Sequence, residues 1–151
     1  MSKYIYPYQR ILEMKVKEKE NAQLLMAKAV QKQTNIESRI MDLQSTITTV
    51  QERLSSEQNV GMPILQLRMI GDYVSNLQKR VGIERIQLDF AKKNVDKKQE
   101  VLRDALKEEK TWDLLKEKKQ QEHLEFIKQK EQSQLDEISN QMFYRQMEAK
   151  G

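Results

Sequence analysis

The chain has 151 residues, of which 33% are charged and 38% hydrophobic, with four Gly, two Pro and no Cys. That balance cannot line the interior of a compact globule, the turn formers are too few for a many-stranded sheet or a bundle of short helices, and no disulfide framework or thiolate chemistry exists. Twenty-seven Lys and Arg against 23 Asp and Glu leave a net charge of +4, but the signs are interleaved, as the wet faces of paired helices require, whereas nucleic-acid and anionic-membrane binders concentrate their basic residues.

In chain order, the opening Met1-Ser2-Lys3-Tyr4 is not followed by an apolar run of signal-peptide length. No stretch approaches the roughly 20 apolar residues of a membrane span, so a cytoplasmic protein without direct membrane insertion is expected. Tyr4, Tyr6 and Tyr8 alternate ahead of the first helix. They either cap the far end of the second helix near Phe143 and Tyr144 or form a contact surface.

The first helix is expected over about 7–56, because Pro7 suits a first helical turn and no Gly or Pro follows until Gly61. At the helical rise, about 50 residues make a helix about 75 Å long. From Lys15 to Glu20 it is almost entirely charged, with Val16 the single apolar residue, so pairing should be weak there. Farther on, Ile36, Ile40, Leu43, Ile47, Val50 and Leu54 step by four and three, which keeps one narrow apolar stripe facing a partner helix.

A turn is expected over about 57–63, where Gly61, Met62 and Pro63 interrupt the seam. The second helix is expected over about 64–148. Leu67, Ile70, Val74, Leu77 and Val81 resume the heptad stripe, which continues through Leu88, Ala91, Val95, Leu102, Ala105 and Trp112, with Glu84, Lys98 and Glu109 as polar interruptions. With one turn between two such helices, the nearest partner for each seam is the other half of the chain. The predicted fold is therefore all-α, a single coiled-coil domain over 1–151 built as a long antiparallel two-helix hairpin. The seam does not settle whether the chain pairs only with itself, because the same stripe can pair between chains.

The arms are unequal, roughly 50 residues against about 85, a difference on the order of 50 Å. Either the second helix overhangs the first or it breaks and folds back over residues 71–83, where Gly71 and Gly82 each cost about 1 kcal/mol relative to Ala, and a break near Gly82 is the preferred reading. Ile64, Leu65, Leu67, Met69, Ile70, Tyr73, Val74 and Leu77 exceed what a two-stranded seam can hide. A fold-back would bury the excess; without one, Met69 or Tyr73 must lie off the stripe in an exposed patch near the bend. Beyond Leu124 and Ile127 the register slips toward Leu135, Ile138 and Met142, and a looser distal section is expected.

Nothing in the residue inventory builds a catalytic or metal site. His123, the only histidine, sits among Lys119, Glu122 and Glu125 and is expected on a wet face; one imidazole without Cys cannot make a zinc site. No glycine-rich phosphate loop is present, so no cofactor is expected. Lys116, Lys118 and Lys119 are interrupted by Glu117, which suits a solvated face better than a phosphate track. Trp112, the single tryptophan, is either a seam knob or an anchor for a partner.

The chain opens on Tyr6-Pro7-Tyr8-Gln9-Arg10-Ile11-Leu12-Glu13-Met14-Lys15, followed by Lys17-Glu18-Lys19-Glu20, an aromatic and charge-rich start. Ile70-Gly71-Asp72-Tyr73-Val74-Ser75-Asn76-Leu77 is a short aromatic segment after the turn. Lys110-Thr111-Trp112-Asp113-Leu114-Leu115-Lys116-Glu117-Lys118-Lys119 and Leu135-Asp136-Glu137-Ile138 make a charged helix that closes on an acidic-apolar motif. Together these segments resemble the opening, the post-turn segment and the C-terminal pattern of the FliJ family of the bacterial flagellar type III export apparatus.

The resemblance implies a non-catalytic fold like the paired terminal helices of the rotary ATP synthase γ subunit. It also implies a central stalk in the hexameric flagellar export ATPase, promoting ring assembly and hydrolysis and linking the ring to the export gate membrane protein and to export chaperones at the cytoplasmic face. By the same analogy Tyr8, Arg10, Ile11, Leu12, Ile138, Met142 and Phe143 would meet the ATPase ring, and Leu43, Ile47, Tyr73 and Leu77 the gate. A generic cytoplasmic scaffold and an RNA-binding helical hairpin are the rival classes. The latter would bind RNA with steep salt dependence, against which the interleaved acids argue, and no nucleic-acid partner is expected. An injection-type secretion system remains an alternative home.

Overall fold

The computed structural model describes residues 4–150; Met1–Lys3 of the opening and Gly151 lie outside the described residues. Two helices, α1 (Gln9–Gln58) and α2 (Ile64–Lys150), pack as a helical hairpin, and no strand occurs among the described residues. The all-α hairpin read from the heptad spacing is the fold observed.

Pro7 does not take the first helical turn expected of it but lies two residues ahead of α1. It and Tyr8 form a turn in which the Gln9 N–H donates to the Tyr6 carbonyl at 3.2 Å, and α1 begins at Gln9. At the far end, the Val60 N–H donates to the Glu57 carbonyl at 3.2 Å and the Gly61 N–H to that of Gln58 at 3.4 Å. Gly61 has φ +95°, a left-handed conformation that a Cβ would strain, and it turns the chain just after α1 has ended at Gln58. The Pro63 carbonyl then accepts from Gln66 and Leu67 at 3.0 and 3.2 Å, opening α2.

No break occurs at residues 71–83. α2 is one uninterrupted helix through Gly71 and Gly82, neither of which has positive φ. The two glycines weaken the helix without ending it, because the seam residues between them, Val74, Leu77 and Val81, are buried, as is Ala91 beyond Gly82. The unequal arms are therefore met by extension of α2 and not by a fold-back.

Contacts divide the chain into two compact units, Lys19–Asp104 and Met1–Glu18 with Ala105–Gly151. In the Lys19–Asp104 unit the core is Ile36, Ile40, Val81 and Ala91, with Leu43, Ile47 and Leu88 packed against it. Ile36 is the deepest side chain at 1% exposure. Its neighbours along α1, Ala22, Ala29 and Ile40, are buried too.

The other unit pairs the start of α1 with the middle of α2. Tyr6 and Leu12 are buried there, and Trp112, Leu115, His123 and Ile127 are half-buried. From Lys128 to Lys150 every residue of α2 is exposed.

Candidate functional site

The N-terminal tyrosines neither reach Phe143 and Tyr144 nor stand free. Tyr6 donates its hydroxyl to the Trp112 carbonyl at 3.4 Å, and the Tyr8 ring meets Trp112 edge-on with centroids 5.8 Å apart. Tyr6 and Tyr8 meet edge-on at 5.8 Å, and Tyr4 lies 4.8 Å from His123, tilted by 33°. His123 is thus a half-buried ring partner and not the solvated histidine that its charged neighbours suggested.

Such edge-to-face ring pairs add about 0.5–1.5 kcal/mol beyond their area burial. Burial, with the neighbouring Tyr4 and Tyr8 hydroxyls, pushes the Tyr6 phenol above its ordinary value. About two turns farther along, Lys15 donates to Glu108 at 2.8 Å and to Glu18 at 3.4 Å. The Glu108 hydrogen bond, ahead of that to Glu18, raises the Lys15 ammonium above its usual value despite opposing desolvation. The charged stretch that weakens the seam thus gains a specific cross-helix link. Period reasoning could not find it, because it pairs residues 93 positions apart.

The ring-contact set inferred from resemblance separates into two groups. Tyr8 and Arg10 are exposed and Ile11 half-buried, while Leu12 is buried and serves helix pairing. Ile138, Met142 and Phe143 are exposed on the terminal stretch of α2, 15 or more residues beyond His123, about 22 Å at the helical rise. Phe143 meets its neighbour Tyr144 edge-on, with centroids 6.4 Å apart.

Of the gate set, Leu43 and Ile47 are half-buried and Leu77 is buried, which leaves Tyr73 as the exposed member. Met69 and Tyr73 both lie off the stripe in the open, and no internal fold-back covers them. Ile36, Ile40, Val74 and Val81 of the seam are buried, and Val50, Leu54, Leu67, Ile70, Leu88, Val95 and Leu102 are half-buried.

The polar interruption Glu84 occupies a seam position and faces Arg39 across the helices at 3.7 Å. That is an ion pair but too long for a hydrogen bond, so Glu84 Oε2 is buried without a donor. Among the described residues no group of His, Cys, Asp or Glu could hold a metal ion, and no helix is long and apolar enough to cross a membrane.

Two packed heptad helices with an aromatic clasp and exposed apolar side chains define a helical hairpin of the coiled-coil class. The family model for the flagellar FliJ protein matches residues 4–148, so the chain belongs to the flagellar FliJ family. It is accordingly a component of the flagellar protein export apparatus, from a family whose role there is non-catalytic. Comparison with curated proteins and with solved structures returned no match.

Proposed function

We propose that the chain is the central stalk of the hexameric flagellar export ATPase, promoting ring assembly and hydrolysis and linking the ring to the export gate and to export chaperones from the cytoplasmic side. The reading is supported above all by the terminal stretch of α2. Residues 128–150 are helical and exposed throughout, yet carry Leu135, Ile138, Met142, Phe143 and Met147. An isolated helix with this many apolar side chains gains free energy only against a partner. A ring of subunits can supply one on several sides at once.

Two helices cannot match six-fold symmetry, so identical subunits would meet different faces, an asymmetry that could bias the order of hydrolysis. The candidate ring contacts narrow to Tyr8, Arg10, Ile138, Met142 and Phe143, with Ile11 at their edge, because Leu12 is committed to helix pairing. Tyr73 is the accessible candidate toward the gate.

The test is hydrolysis and ring assembly by purified export ATPase as the chain is titrated in. Stimulation should saturate near one chain per six ATPase subunits, and Ile138→Ser with Met142→Ser and Phe143→Ser should abolish it while leaving thermal unfolding unchanged. A fully helical chain that leaves rate and assembly untouched would instead be a scaffold.

A further inference from the structure

Within the Lys19–Asp104 unit, α2 carries a second heptad line besides the buried one. Met69, Tyr73, Asn76, Arg80, Ile83, Gln87, Phe90 and Asn94 step by four and three without interruption, and the line contains a single charge. Its apolar members are in the open, with Ile83 57% and Phe90 68% exposed, and Ile86 beside them 61% exposed. The outer face of a two-stranded coiled coil is ordinarily charged, so a second line of this kind is what a helix carries when it packs against two neighbours.

The line borders two hollows that share Arg39. One, about 460 Å³, is lined by α1 residues Lys32, Ile36 and Arg39 and by Gln87, Phe90, Ala91 and Asn94 of α2. The other, about 440 Å³, lies between Arg39, Leu43, Arg80, Ile83 and Glu84. A third hollow, on Gln44, Ile47, Gln51, Gln78, Val81 and Arg85, has no comparably exposed apolar residue on its rim.

We propose that the groove from Arg80 to Asn94 is a docking site for an acidic amphipathic helix supplied by another protein, completing a local three-helix bundle. The 3–4 spacing calls for a helical ridge, and the 15 residues of α2 from Arg80 to Asn94 match about 21 Å, or about four turns, of bound helix. The charges select the sign. Lys32, Arg39 and Arg80 line the two hollows against the single carboxylate of Glu84, which already faces Arg39. A second copy of this chain would bring the same cations to the interface in an isologous pairing, so a partner with Asp and Glu beside its apolar stripe fits better. The proposal does not depend on the stalk reading, since neither the ATPase nor the terminal stretch of α2 enters it.

The probe is a fluorescein-labelled 21-residue helical peptide with Leu at both seam positions and Glu on both flanks, measured by anisotropy against the full chain. Controls carry Lys flanks, or Gln in place of Leu. Saturable binding of the Glu-flanked peptide is expected, weakened at least tenfold by Ile83→Glu with Phe90→Glu. Neither control peptide should bind comparably.

Lys32→Glu with Arg80→Glu, two substitutions outside the buried seam, should transfer preference to the Lys-flanked peptide. Circular dichroism melts verify that each variant stays folded. Absence of saturable binding, equal binding to the Ile83→Glu, Phe90→Glu variant, or no preference between peptide charges would overturn the proposal. So would sedimentation equilibrium showing a wild-type dimer that Phe90→Glu dissociates, because the occupant would then be a second copy.

Discussion

The two compact units hold their helices together by different means. In Lys19–Asp104 the seam is mostly aliphatic, interrupted on α2 by Glu84 and Lys98, and its cluster of Ile36, Ile40, Val81 and Ala91 draws in Leu43, Ile47 and Leu88. In Met1–Glu18 with Ala105–Gly151 the seam positions of α1 are mostly charged after Leu12, and the contacts are rings on Trp112 and His123 plus the Lys15–Glu108 bond. Aliphatic burial is non-directional and tolerates sliding, whereas ring edges, a phenol hydrogen bond and an ion pair act only at one register. One unit therefore supplies stability and the other positional specificity.

The contrast is broken most directly at Ile36, the deepest side chain. Ile36→Ala leaves a cavity in a core with few other layers and should cost about 2–4 kcal/mol, read as a lowered midpoint in thermal unfolding followed by circular dichroism. Leu12→Ala, in the other unit, removes one buried aliphatic from a smaller contact and should cost about 2 kcal/mol. Its distinguishing signature is local. Trp112 emission should shift to the red at temperatures where most helical signal persists, since the first turns of α1 can detach without unfolding the aliphatic seam. If both substitutions lower a single common transition equally, the units do not differ in the way argued.

A smaller effect of opposite sign is expected at Gly82. It lies in continuous helix, and a Cβ built on it meets nothing within 4 Å. Gly82→Ala should therefore raise stability by about 1 kcal/mol. Gly61→Ala offers the internal contrast, because that Cβ also meets no atom but the backbone stands at φ +95°. It should lower stability by about 1 kcal/mol.

How far the sequence could be read follows from the same physics. The 3–4 spacing of Ile36, Ile40, Val74, Leu77 and Val81 announces paired helices, because one period decides which face is buried. Gly61 and Pro63 place the turn by their own backbone restrictions. Whether Gly82 ends a helix is not a local question: its cost of about 1 kcal/mol is outweighed by burial of the flanking seam. The clasp of Tyr4, Tyr6 and Tyr8 on His123 and Trp112 joins residues about a hundred positions apart, and no periodicity encodes that choice over Phe143 and Tyr144. The second line through Ile83 and Phe90 was visible in the spacing, but the buried seam beside it has the same period and masks it.

The most delicate contrast between the units is their response to alkali. Tyr6 and Lys15 both bind their protons more tightly when folded, for different reasons: burial for the phenol and the Glu108 hydrogen bond for the ammonium. A group whose folded value is raised stabilises the fold fully below its ordinary value, and that contribution is lost as pH climbs through the raised one. The window therefore opens above the ordinary 10.0 of Tyr6 and 10.5 of Lys15. The Lys19–Asp104 core cluster contains no ionisable side chain, so it gives no corresponding response. Methyl-labelled NMR should show the Leu12 methyls moving toward their unfolded positions across that window while the Ile36 methyl stays in place. Tyr6→Phe with Lys15→Met keeps the ring and the aliphatic stem but removes both protons, and should flatten the Leu12 response. Equal movement of the Leu12 and Ile36 methyls in the wild-type chain would mean that the aliphatic seam shares the proton linkage, and the division of labour between the units would fail.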